Sequence, residues 1–205
     1  MKRQPVPHPT SDLVAPPSPS VAVTDEQASP LPRRRNATTT REAILESARR
    51  AFVQAGYDGA GVREIAKGAG VTAMLVNRYF GSKEKLFAEV IAKSMAAPTI
   101  LRAENLASKD MSTAFASALV GITQSGALPL DGFLILLRSA SSERAAEIGR
   151  EEIEKGHQKT LSTALQGSHA AERAALVLAL VAGVQMMRQM MALPALAVAD
   201  PEVLM

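Results

Sequence analysis

Positions 68–87, reading GAGVTAMLVNRYFGSKEKLF, constrain this 205-residue chain more than any other stretch. Just upstream, Val62, Ile65, Ala66 and Ala69 recur at i, i+3, i+4 and i+7, which is one face of a helix. Gly68 and Gly70 stop it, because a glycine past a helix end can turn the chain through the left-handed region without a Cβ clash. Thr72 is then a good N-cap for a second helix, with a side-chain oxygen able to accept an orphan backbone N–H. On that helix Val71, Leu75, Val76, Tyr79 and Phe80 supply a buried side, leaving Ala73, Met74, Asn77 and Arg78 outside. The pattern is two short helices at a tight glycine turn, the second presenting small and polar groups outward.

The flanks repeat this logic. Thr39 and Glu42 fit a capping box ahead of a helix whose apolar stripe is Ile44, Leu45, Ala48 and Phe52, and Gly56 ends it. Beyond Phe80, Gly81 makes a turn and Ser82 caps a fourth helix with Leu86, Phe87, Val90 and Ile91 on its inner face. Lys83 and Lys85 fall in its first turn, where cations oppose the helix dipole, and a phosphate bound there would remove the conflict. This is the layout of a helix-turn-helix whose second helix meets base edges in the major groove.

The segment from 40 to 87, TREAILESARRAFVQAGYDGAGVREIAKGAGVTAMLVNRYFGSKEKLF, resembles the N-terminal DNA-binding domain of the TetR family of transcriptional regulators. Carrying the resemblance are Ala48 and Phe52, the Gly56-Tyr57 turn, Val62-Arg63-x-Ile65-Ala66, the Ala69-Gly70-Val71-Thr72 turn, and Tyr79-Phe80-x-x-Lys83-x-x-Leu86. Where the family usually has Ser or Thr to cap the second helix, this chain has Gly61, a cap weaker by a few tenths of a kcal/mol. Asn77 stands where a phosphate-binding tyrosine is usual, and it is suited either to an adenine edge or to a phosphate. The resemblance implies DNA contacts from Arg63, Thr72, Ala73, Met74, Asn77, Arg78, Tyr79 and Lys83.

The net charge of +3 hides an asymmetry: +2 over residues 1–40, +3 over 41–93 and −2 over 94–205. The excess lies where DNA would bind. Residues 1–38 hold eight of the twelve prolines and no apolar periodicity, so a disordered tail is expected there. At its end Arg33, Arg34 and Arg35 are either a solvated linker or an arm reaching phosphates or the minor groove. Without cysteine the chain has no disulfide, thiol chemistry or Cys-based zinc site. No apolar run is expected to reach the length of a membrane span and no charged start followed by an apolar core marks a signal peptide, so a cytoplasmic protein without membrane contact is expected.

From residue 94 on, only helices are read, over about 109–126, 129–140, 142–166 and 168–193, with Ser142 and Ser168 as caps. The charged EIGREEIEK stretch reads as a solvated face. Leu176, Leu178, Leu180, Val181, Val184, Met187 and Met191 make the last helix apolar nearly all round, so it belongs in a core or against another subunit. Met186, Met187, Met190 and Met191 read as core filling, or as an adaptable pocket wall. This half is similar to TetR ligand-binding and dimerisation domains through LLRSASSERAA (136–146) and a final apolar helix before ADPE (199–202). The family usually adds a further helix after that turn, and here barely one turn follows, which implies a reduced dimer contact or a truncated sequence.

His8, His157 and His169 are far apart and read as tail or surface residues, no metal-ligand spacing is present, and no nucleophile stands beside a base. The expectation is therefore an all-α protein and not an enzyme, requiring no cofactor and no metal. A helix-turn-helix DNA-binding domain (39–93) would precede a helical ligand-binding and dimerisation domain (94–205). As a homodimer it would hold a palindromic operator on double-stranded DNA as a repressor, and a small apolar effector would release it. Gln124, Arg138, Gln185 and Arg188 are the polar candidates for orienting that effector. The alternatives are a DNA-binding protein with no effector, and an enzyme that uses the C-terminal cavity.

Overall fold

A computed structural model describes residues 33–96, 99–124 and 131–205, with side chains from residue 36. The Pro-rich segment, the Arg33–Arg35 side chains, Gly126 and Pro129 lie outside what is described. Among the described residues there is no strand. The N-terminal half consists of α1 (Arg33–Gly59), α2 (Val62–Gly68), α3 (Ala73–Phe80) and α4 (Lys83–Met95). Two short or mid-length helices follow, α5 (Ala103–Leu106) and α6 (Met111–Ile122), and then α7 (Asp131–Ser139) and α8 (Glu143–Ile153). A π-helical turn at Glu154–Gln158 carries α8 into α9 (Lys159–Ala164). Last come α10 (Ala170–Gln185), a second π-helical turn at Met186–Met190, α11 (Pro194–Ala197) and α12 (Pro201–Leu204).

Four helix starts differ from expectation. α1 begins at Arg33, inside the stretch read as tail, and Thr39 lies within the helix rather than at its cap. No breaker follows Pro32, and Thr40 Oγ1 donates to Asn36 O at 2.7 Å, so the helix extends backward from its packed part. Glu42 does not close a capping box but pairs with Lys93 of α4. α6 is capped by Asp110, which accepts from Thr113 N at 3.0 Å. His169 occupies the cap position of α10 with φ 56, where Ser168 was expected, and Ser142 precedes α8 without a side-chain cap bond.

One core unites the first four helices with α7 and α8. Ile44, Ala48, Phe52, Ile65, Leu86, Phe87 and Ile91 are buried with Ile135, Ala145 and Ile148. Phe87 sets its edge on Phe52 at 5.0 Å and on Tyr57 at 4.9 Å. α8 is thus more than the solvated face its charges suggested. Gly56, at φ 66, lets the end of α1 press against α7, since a Cβ there would lie 2.4 Å from Arg138 O. A smaller cluster joins Ile100, Leu101, Leu161 and Ala174.

Ala170–Met190, a 21-residue helix containing an 18-residue stretch of mean hydropathy 1.5, is long and apolar enough by length and composition to cross a membrane, which corrects the expectation that no run reaches that length. Its Arg188 is buried and donates to Val120 O at 2.9 Å and Thr123 Oγ1 at 2.8 Å, clamping the second π-helical turn to α6. Leu176, Leu180, Met187, Met190 and Met191 are exposed, so these methionines are neither core filling nor pocket wall within one chain.

Candidate nucleic-acid interface and the adjoining cavity

The outward face of α3 arises from its caps. Thr72 Oγ1 accepts from Leu75 N at 3.3 Å, and Gly81 N donates to Asn77 O at 2.7 Å. Gly70, at φ 68, makes the turn from α2. Val76 and Phe80 are buried, which fixes the rotation of this two-turn helix. Thr72, Met74, Asn77 and Arg78 are exposed, Met74 by 81%. Ala73, expected outside, is half-buried and packs on the core, because it lies at i, i+3 to the buried Val76 and so shares its face. Tyr79 is half-buried against the core as well.

Basic groups border this face. Arg63 is exposed at the start of α2 with Lys67 one turn on. Ser82 Oγ accepts from Lys85 N at 3.3 Å, the expected cap of α4. Lys85 is exposed in that first turn, whereas Lys83 is half-buried with Nζ 4.5 Å from the Tyr57 ring centroid. Burial, and next the Glu84 carboxylate, push the Tyr57 phenol above its ordinary range. Glu84 is itself held low, first by the Ser82 hydroxyl. Arg41 stacks 4.9 Å over Phe80 and pairs with Glu89 at 2.5 Å, tying α1 to α3 and α4.

A cavity of about 640 Å³ lies where this unit meets the later helices. Its wall is largely aliphatic, with Met95, Ile100, Leu101, Ile122, Leu136, Val177, Leu178 and Val181 around Phe133. Polar groups come from Glu46 and Arg49 of α1, Ser94, Thr99, Asp131, His157 and Gln185. Arg49 bridges Glu46 and Asp131, so an ion pair from α1 to α7 forms part of the wall. Arg49 holds the Glu46 carboxyl below its ordinary range, chiefly through their hydrogen bond.

Of the four polar residues expected at a ligand, the cavity brings in Gln185 alone. Arg138 turns instead to Val53 O, Arg188 is spent on the α6 clamp, and Gln124 is exposed at the far end of α6. His157, read as a surface residue, is half-buried on the wall, and burial pushes its imidazole below the ordinary value. The signal that finds it is register: Ile148 and Ile153 mark the inward face of a charged helix, and the π-helical turn brings position 157 onto that face. His169 is exposed beside Glu172, as expected.

Residues 44–90 match the family described as "Bacterial regulatory proteins, tetR family", and residues 124–205 match "Tetracyclin repressor-like, C-terminal domain". A curated relative is the HTH-type transcriptional repressor AcnR of Corynebacterium glutamicum, 37% identical over 68 residues, or 33% of this chain and 36% of that protein. The chain therefore matches just over a third of that relative's length. Among solved structures, a TetR-family regulator from Streptomyces coelicolor is 26% identical with a TM-score of 0.52, covering 84% of this chain and 91% of that one. A transcriptional regulator from Rhodococcus sp. Rha1 is 27% identical with a TM-score of 0.53, covering 80% and 89%.

Proposed function

Because the chain belongs to the TetR family of bacterial regulatory proteins, we propose that it is a cytoplasmic transcriptional repressor that grips a palindromic operator as a homodimer. A small, largely apolar molecule entering the 640 Å³ cavity releases it. The observation that carries this reading is the α3 face: Thr72, Met74, Asn77 and Arg78 stand exposed on a short helix whose opposite side is locked into the core. Arg63, Arg78, Lys83 and Lys85 supply backbone contacts around it, and Met74 and Asn77 read base edges.

Dimerisation is supported by the face of α10 that carries Leu176 and Leu180 in the open, together with Met187 and Met191 beyond it. Such a face calls for a second subunit. The buried Arg188 clamp and the burial of Ala174 against α9 favour that reading over a membrane span. An effector, rather than DNA binding alone, is supported by the aliphatic cavity sharing Arg49 and Glu46 with the helix-turn-helix unit. A ligand there would favour a spacing of recognition helices that no longer fits successive major grooves, about 34–36 Å apart.

The test is footprinting on the DNA upstream of the protein's own gene and its neighbours. Two protected half-sites related by a twofold axis are expected, with protection lost on adding a hydrophobic compound. Equal affinity for random and upstream DNA would remove the operator from this reading.

A further inference from the structure

Among the described residues, three buried side-chain atoms lack a hydrogen-bond partner: His157 Nε2, Arg188 Nε and Gln189 Oε1. Only His157 lines the 640 Å³ cavity, within a wall that is mostly aliphatic. An unpaired buried polar atom costs about 1–3 kcal/mol, so its retention calls for a partner. The local backbone points the same way. His157 sits in the π-helical turn Glu154–Gln158, and the second such turn, Met186–Met190, starts directly after Gln185 on the facing wall. π-helical turns are rare and concentrate at functional sites.

The chemistry of the ring decides what it can bind. The Met95 backbone favours the protonated ring, as a carbonyl accepting from it does, against the larger effect of burial, and Nε2 is buried without a partner. With the proton of the neutral ring on Nδ1, the tautomer that leaves the orphaned nitrogen free, Nε2 offers a lone pair. On the reading that this cavity holds an effector, we infer that His157 Nε2 is its polar anchor and accepts a hydrogen bond from a hydroxyl carried on an otherwise apolar molecule. An alkylphenol or a long-chain alcohol fits this description, and a hydrocarbon or a methyl ether of the same shape does not. Burial keeps the imidazole neutral, so a carboxylate gains no charge partner from it.

The test is direct binding to the full chain without DNA, by isothermal titration with 4-pentylphenol, 4-pentylanisole and pentylbenzene. The wild type should bind the phenol about tenfold tighter than the anisole, the worth of one buried hydrogen bond. His157→Leu should erase that preference while still binding pentylbenzene, which shows that its cavity has folded. His157→Gln, which restores an acceptor, should recover part of it. Equal binding of all three probes by the wild type overturns the anchor and leaves the effector cavity standing. Binding of none of them overturns both.

Discussion

The backbone N–H of Tyr57 donates to Ser139 Oγ at 2.9 Å, so the end of the first helix is hydrogen-bonded to the end of the seventh. Beside it Gly56 lies against Arg138 O, Arg138 reaches Val53 O, and Ser142 Oγ donates to Asp58 at 3.2 Å. These contacts join the DNA-reading unit to the later helices as one packed body, so a shift of α7 has a route to α1.

Gly56→Ala should therefore be severe. Its Cβ would fall 2.4 Å from a backbone oxygen at a positive φ, and the two penalties together amount to roughly 2–4 kcal/mol. Ser139→Ala should cost about 1–3 kcal/mol by stranding the Tyr57 N–H. Urea unfolding read by far-ultraviolet dichroism checks both, and a Gly56→Ala midpoint equal to wild type would contradict the close approach.

DNA reading separates into two measurable parts. Asn77→Ala should lose about 1–3 kcal/mol on the operator and little on random DNA if the side chain reads a base. Lys83→Ala should weaken binding to every sequence and lower the salt slope by about one. In the free protein Lys83 rests on the Tyr57 ring, so phosphate must compete with that contact. An unchanged slope would mean that Lys83 stays on the ring.

Leu176→Glu with Leu180→Glu should leave the fold intact, because these side chains are 70% and 63% exposed in one chain. In sedimentation equilibrium the wild type should be dimeric and the double variant monomeric, and operator affinity should fall with it. A dimer that persists would place the interface elsewhere.

Burial holds the folded His157 imidazole below the 6.5 of an exposed ring, so the unfolded chain binds more protons once pH falls through that value. Stability should fall in that window as His157 resists protonation. His157→Leu should show a shallower decline between about pH 7 and 5. Identical pH profiles would show that the ring is not held neutral.

What was legible in the chain followed from local chemistry. Thr72 and Ser82 were readable as caps because each stands between a glycine turn and an apolar-periodic run, and both accept the expected N–H. The start of α1 was not, since Thr39 and Glu42 satisfy a capping pattern that the helix overrides by continuing to Arg33. Ala73 was misplaced because on an eight-residue helix a small residue suits either face. The cavity was harder still. Arg138 and Arg188 looked like ligand contacts, yet each is used by a backbone carbonyl distant in sequence, and His157 follows Ile153 by four residues onto the inner face of a helix whose charges pointed to solvent.

The Arg49–Asp131 pair gives the last prediction. It lines the cavity, crosses from α1 to α7, and is half-buried, with side chains 33% and 19% exposed. A molecule occupying the cavity must either leave this pair in place or displace it, and displacement loosens the helix that carries Ile44, Ala48 and Phe52 on its inner face. Asp131→Asn removes the charge while keeping the shape, and Arg49 retains Glu46 as partner. Affinity for operator without effector should change by less than about threefold, as expected for a partly exposed pair. The concentration of hydrophobic compound needed for half release should shift by about tenfold, equivalent to about 1.4 kcal/mol of coupling between the sites. The two are read separately, by fluorescence anisotropy of labelled operator with and without the compound. If half release is unchanged while the compound binds normally by titration, coupling runs through the Tyr57–Ser139 contact instead.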